Sequence, residues 1–203
     1  MPDIFTYHTI SSDAKAEFKD RGSRFIALGY AIQQEADVKK YLSALKQEHP
    51  KAVHICYAYR LGVDGTRYRA VDDGEPSGSA GRPILGQIDS SGLTNVVVFV
   101  VRYFGGVLLG VPGLINAYKS ATAAALSTVD KLEKNLEKLV EIAFDYPVMN
   151  EVKYLLKLAG ATIYKQELQL FCLITAGIPL KEEAQYLQRL ATIRGVTIKD
   201  GTQ

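Results

Sequence analysis

Nine glycines lie between Gly74 and Gly113, on either side of one unbroken apolar run, Val96–Val101. Six β-branched and aromatic residues without a polar interruption suit a strand covered on both faces. Glycine-rich loops beside such a strand bring backbones close to one another or to a ligand. After Gly113 the use of glycine changes. Gly160, Gly177, Gly195 and Gly201 fall only at the ends of expected elements. The switch predicts two domains, 1–130 and 136–203. The charged stretch VDKLEKNLEK between Val129 and Lys138 reads as a helix end or an extended connector.

The second part has the clearer periodicity. Leu136 to Asp145 alternates as a half-buried strand, with Val140, Ile142 and Phe144 on one side. Pro147 opens a helix that Gly160 closes. Thr162 to Glu167 and Leu168 to Ala176 read as strands. A helix follows from about Pro179 to Arg194, with Ala184, Leu187, Leu190 and Ala191 on one face, and Val196 to Ile198 is a last strand. The order is βαββαβ, the ferredoxin-like split unit.

In the first part the pattern predicts an edge strand around Ala14 to Lys19 and strands at Ser23–Ile32 and Val53–Arg60. Asp64-Gly65 signals a turn before a strand at Arg67–Val71. Asn95–Arg102 is the buried central strand. Helices are expected over Asp37–Glu48, Ser79–Asp89 and Gly113–Thr128. Strands alternating with helices give an α+β or α/β layer.

Charge and cysteine content narrow the function classes. Lys and Arg total 24 against 22 Asp and Glu, a formal charge of +2. Bulk charge therefore does not drive nucleic-acid binding, although a local basic patch is compatible. Cys56 and Cys172 sit far apart in apolar runs and imply no disulfide framework. The first residues lack a signal-peptide pattern. No apolar run approaches the roughly 20 residues that span a bilayer. A reduced, cytoplasmic protein without membrane partners is expected.

Two stretches could carry chemistry. The first, Val71 to Pro83, sets Asp72, Asp73 and Glu75 ahead of Ser77, Gly78, Ser79, Gly81 and Arg82. It reads as a ligand-facing strand-to-helix loop. Equally, its carboxylates could satisfy the loop's own amides and pair with Arg82 or Arg102. The second is Arg102-Tyr103-Phe104-Gly105-Gly106, running on through Gly110 to Gly113. Gly105 and Gly110 have the outer spacing of a phosphate-binding loop, but Gly110-Val111-Pro112 lacks its lysine and hydroxyl. A Ser–His–Asp relay from Ser77 or Ser79, His54 and Asp72 or Asp73 has no GxSxG elbow behind it. Three histidines and two distant cysteines do not make a zinc site. Magnesium at Asp72, Asp73 and Glu75 is a weak reading. His54 and Cys56 read as core residues.

Taken together, several motifs resemble the YigZ/IMPACT family. They are Gly22-Ser-Arg-Phe-Ile26, His49-Pro50 with Ala52, His54 and Cys56, Asp72-Asp-Gly-Glu-Pro-Ser-Gly78 with Ala80-Gly81 and Pro83, and Arg102-Tyr-Phe-Gly-Gly106 with Leu109-Gly110 and Gly113-Leu114. The resemblance implies two domains. The first would be an α/β sandwich like the second domain of a small-subunit ribosomal protein and the fourth domain of elongation factor G. The second would be ferredoxin-like. It also implies a setting in translation, since eukaryotic members modulate a kinase of initiation factor 2. Those members carry an extra N-terminal domain that is not expected here, so the kinase pathway does not carry over. Two departures from the family pattern stand out. Ser79 replaces a threonine, and Gly110-Val-Pro-Gly-Leu114 replaces Gly-Thr-Gly-Gly-Leu, with Asn116 where a basic residue is common.

The resulting expectation is a non-enzymatic binding or regulatory protein. Its partner would be the ribosome, RNA or a translation-associated protein. The contact surface would comprise Asp72, Asp73, Glu75, Ser77, Arg82, Arg102, Tyr103, Phe104, Gly105, Gly106 and Gly110. No catalytic residue, metal or cofactor is assigned. The alternative is a small hydrolase or other enzyme that uses the same loops.

Overall fold

A computed structural model describes residues 5–64, 66–169 and 171–201. The chain forms two compact units, Tyr7–Lys134 and, mainly, Asn135 onward. Both mix strands and helices, with five α-helices among the described residues.

The first unit contains β1 (Thr6–Ile10), β2 (Ala14–Asp20), β3 (Ser23–Ala31), α1 (Glu35–Glu48), β4 (His54–Leu61), β5 (Arg67–Val71), α2 (Gly81–Ser90), β6 (Val96–Tyr103), α3 (Gly110–Leu126) and β7 (Lys131–Asn135). Its sheet has the order β2-β3-β6-β4-β5, and all neighbouring strands are antiparallel. β6 is central, as its apolar run requires. Val96, Val98 and Val100 face a core built with Ile84, Ile88, Leu114, Ala117 and Ala121 of α2 and α3. Val97, Phe99 and Val101 face a second core with Val38 and Leu45 of α1. Side chains alternate along a strand, so two covered faces require an apolar residue at every position. Each fully buried valine contributes roughly 1.5–3 kcal/mol.

Helix starts differ from the sequence reading for local reasons. α1 begins two residues early because Asp37 is not its first residue. Its carboxylate accepts the Gln33 and Gln34 amides at 2.9 and 3.1 Å, the N3 role in a capping box. α3 begins at Gly110, before Gly113, because Pro112 in the first turn has no amide to leave unpaired. The charged stretch after Val129 is neither a helix end nor bare connector. It forms β7, which pairs with β1. Gly65 of the expected Asp64-Gly65 turn lies outside the described residues.

The second unit contains β8 (Glu137–Asp145), a 3-10 turn (Tyr146–Val148), α4 (Met149–Leu158), β9 (Thr162–Leu168), β10 (Phe171–Pro179), α5 (Glu183–Ala191) and β11 (Thr197–Asp200). The sheet order is β11-β8-β10-β9, again antiparallel. Val140, Ile142, Phe144, Cys172, Ile174 and Ile178 meet Val152, Leu156 and Leu190 in one core. α5 is shorter than its periodicity suggested. Pro179 is still in β10, opposite Glu137, so the helix starts only at Glu183. It buries Tyr186 and Leu190, while Ala184 and Ala191 are exposed. No helix among the described residues is long and apolar enough to cross a membrane.

Candidate functional site

The first motif loop is built on Asp72. The chain leaves β5 and reverses through Asp73 and Gly74, both at positive φ. Asp72 then accepts the amides of Gly78, Ala80 and Gly81 at 2.9, 3.0 and 2.8 Å. The Ala80 and Gly81 amides are otherwise unpaired donors at the start of α2, whose own N-cap, Ala80, has no side-chain acceptor. Burial alone would raise the Asp72 carboxyl. The three amide bonds and the nearby Arg82 charge outweigh it and hold the group below its ordinary value. Gly81 is required by contact. A Cβ there would lie 2.4 Å from the Val71 nitrogen, so only glycine lets α2 start against the end of β5. Asp73 accepts the Ile55 amide at 2.7 Å, and its carbonyl lies 2.6 Å from His54 Nδ1.

Beneath the loop lies a buried polar cluster. Glu75 Oε1 accepts from Arg102 Nη1 at 2.6 Å and from the Tyr118 hydroxyl at 2.7 Å. The Glu75 and Arg102 side chains are only 3% and 7% exposed. The guanidinium lies between the rings of Phe25 and Phe104, at 5.5 and 5.7 Å from their centroids. Its Nε has no partner within the protein. Burial, with Cys56 and Glu75 alongside, pushes the Tyr118 phenol far up, so it remains a donor at every physiological pH. Burial likewise pushes the Cys56 thiol to about 12, against the opposing hydrogen bond with Tyr118. Cys56 Sγ lies 2.9 Å from the Asp72 carbonyl and 3.3 Å from the Tyr118 hydroxyl. The cluster joins β4, β6, α3 and the loop after β5.

The second motif loop leaves β6 and passes over the β2–β3 turn. A Cβ on Gly105 would sit 1.9 Å from the Gly22 carbonyl carbon, so the two backbones touch. The Gly105 amide donates to Ser23 Oγ at 3.1 Å. Tyr103 is fixed by His49, whose Nδ1 is 2.8 Å from the phenol oxygen, and by Arg24 over its ring at 5.6 Å. Gly106 and Gly110 both have positive φ, and the chain enters α3 between them and Leu114.

The two loops are therefore adjacent, but the eleven residues singled out in them divide. Glu75 and Arg102 are interior and bind each other. Asp72 holds the start of α2, and Asp73 holds the start of β4. Tyr103 is half-buried. Asp73 also faces solvent, as do Ser77, Arg82, Phe104, Gly105, Gly106 and Gly110. A Ser–His–Asp relay is not assembled. His54 faces a backbone carbonyl rather than a carboxylate, and the Ser79 hydroxyl donates to the Pro76 carbonyl at 2.6 Å. Among the described residues, no three His, Cys, Asp or Glu side chains converge as for a metal ion. Tyr118 escaped the sequence reading. Its signal was a phenol on the inward face of an alanine-rich helix, where a buried hydroxyl needs a partner.

Residues 21–126, from the turn before β3 to the end of α3, match the family model described as the Impact N-terminal domain. The chain belongs to the IMPACT family. Both motif loops and all of the buried cluster fall within the IMPACT match. The IMPACT family member YigZ of Escherichia coli strain K12 is 32% identical over 171 residues, 83% of this chain and 84% of that relative. The Protein IMPACT homolog of Saccharomyces cerevisiae is 36% identical over 96 residues, covering 45% of this chain and 36% of that protein. A solved structure described as a hypothetical protein aligns with a TM-score of 0.76 and 26% identity, over 98% of this chain and 99% of that one.

Proposed function

We propose that this IMPACT-family chain is a non-enzymatic, cytoplasmic regulatory protein that contacts the translation apparatus, whether ribosome, structured RNA or an associated protein. Family membership supports the regulatory role. The observation that carries the surface assignment is the buried Arg102–Glu75–Tyr118 cluster, which ties both motif loops to one rigid frame. The exposed members, Asp73, Ser77, Arg82, Phe104, Gly105, Gly106 and Gly110, form the contact face. Glu75 and Arg102 position it from below, and Asp72 and Asp73 fix the loop path. The first unit is read as the sandwich that the family resemblance implies. For the second, the element order β8-α4-β9-β10-α5-β11 supports the ferredoxin-like assignment.

Co-sedimentation with ribosomes and with RNA at low and high salt tests the proposal, with Arg82→Ala/Phe104→Ala as the control variant. Association that weakens in the variant and with salt is expected. Absence of association with either at every salt concentration, and also in crude lysate where associated proteins are present, refutes it.

A further inference from the structure

Around the start of α3 the chain turns two leucines inward and leaves four aliphatic side chains in water. Leu109 and Leu114 enter the core. Val107, Leu108, Val111 and Ile115 remain outside, Leu108 at 82% and Val111 at 45% exposure. Phe104, 48% exposed, precedes them. Val111 and Ile115 are four residues apart and share one helix stripe. A run of exposed apolar side chains this dense marks an interaction face, because nothing in the unit's own packing uses them.

The surrounding charge specifies what covers the face. From Ser90 to Val129 there is no aspartate or glutamate. α3 starts without a side-chain cap and without an acidic residue in its first turn, so its positive end stands open beside Val107 and Leu108. Lys119 is exposed on the same helix, whereas Arg82 on α2 lies near the Asp72 carboxylate. The face thus presents aliphatic area bordered by the uncapped end of α3 and by Lys119, which continues the Val111–Ile115 stripe one turn on. Single-stranded nucleic acid calls for stacked aromatics and a row of cations. From Phe104 to Lys119 the exposed side chains include one aromatic, Phe104, and a single cation, Lys119.

We propose that Phe104 to Ile115 docks an amphipathic protein segment whose apolar side chains are flanked by aspartate or glutamate. This deepens the reading above, on which it rests for taking the Arg102–Gly113 loop as a contact surface. The segment's apolar side chains cover Leu108 and Val111, and its carboxylates meet the open end of α3 and Lys119.

The test is a selection from a random 12-residue peptide display library on the immobilised full chain, with Leu108→Asp as counter-selection. Leu108 is almost fully exposed, so this variant keeps the wild-type thermal midpoint; Val111→Asp serves as a second variant. Enriched peptides are expected to combine Leu, Ile, Phe or Met with Asp or Glu. They should shift the Leu108 and Val111 methyl resonances and bind either variant at least tenfold more weakly. Lys119→Glu should weaken them severalfold. The proposal is overturned if nothing is enriched over Leu108→Asp or if basic peptides are enriched. It is also overturned if only oligouridine, phosphatidylserine vesicles or self-association moves those methyl signals. Wild-type protein that fails to co-sediment with ribosomes and with RNA defeats the translation reading and leaves the peptide result standing. An empty peptide arm with intact co-sedimentation defeats this proposal alone.

Discussion

Glu75→Ala removes the single oxygen that receives both the Arg102 guanidinium and the Tyr118 hydroxyl. Both partners stay buried, with Tyr118 fully enclosed. Breaking one side of a buried ion pair costs about 3–5 kcal/mol. An unsatisfied buried hydroxyl adds about 1–3 kcal/mol. The two losses share one acceptor and overlap, so about 4–6 kcal/mol is expected in total. That is comparable to the whole stability of many domains, which is roughly 5–15 kcal/mol. With a urea m-value of about 2 kcal/mol per molar, the midpoint of the first unit falls by about 2 M or more. Hydrogen exchange at the β6 amides reports on that unit alone. Glu75→Gln retains an acceptor for Tyr118 and should lose about 3 kcal/mol. Glu75→Leu/Arg102→Met/Tyr118→Phe removes all three charged or hydroxyl groups, leaves Cys56 its bond to the Asp72 carbonyl, and should lie within about 2 kcal/mol of wild type, because apolar replacement of a buried pair is often neutral. The reasoning is refuted if Glu75→Ala costs less than about 1 kcal/mol, or if the triple variant is as unstable as Glu75→Ala.

Three further outcomes follow from single contacts. Asp72 is held below its ordinary 3.8, so its stabilisation is complete above about pH 4 and lost as pH falls through the lower folded value; Asp72→Asn should cost about 1–2 kcal/mol at neutral pH and flatten the acid limb of stability measured between pH 2 and 5. Gly105→Ala places a Cβ 1.9 Å from the Gly22 backbone, and because neither side is a flexible side chain the loss should reach about 3 kcal/mol by thermal melting. The Cys56 thiol, pushed to about 12, should resist iodoacetamide in native protein at pH 8 and react fully on unfolding; rapid native labelling, located by mass spectrometry, would contradict its burial.

Much of the architecture was legible in the sequence. The run Val96–Val101 announced a strand covered on both faces, and β6 is the central strand of its sheet. Alternation in Leu136–Asp145 located β8, and the β, α, β, β, α, β order of the second unit was readable throughout. Boundaries slipped where local bonding overrode periodicity: Pro179 stayed in β10, and the charged stretch after Val129 paired with β1 as β7. That strand is exposed at every residue, so it has no apolar alternation to betray it.

The motif loops were legible only in part. Their glycines, carboxylates and arginines stood out, and so did their family resemblance. Composition and spacing by themselves determined that two loops flank a buried strand and that charge within them must be compensated. That the carboxylates would serve the loop's own amides and an arginine was one of two sequence readings, but which carboxylate takes which partner came only from the tertiary structure. Glu75 meets Arg102 across 27 positions and Tyr118 across 43, while Gly105 meets Ser23 across 82. A periodic pattern records which face a residue turns inward, whereas these partners depend on how the strands stack beside one another. The sequence reading offered Arg102 both as part of a contact surface and as a partner for the loop carboxylates. Strand register places it beside Phe25 and His54 and buries it on Glu75, the second of these alternatives. What is left in water is the aliphatic start of α3, because only Leu109 and Leu114 of that stretch can reach the core.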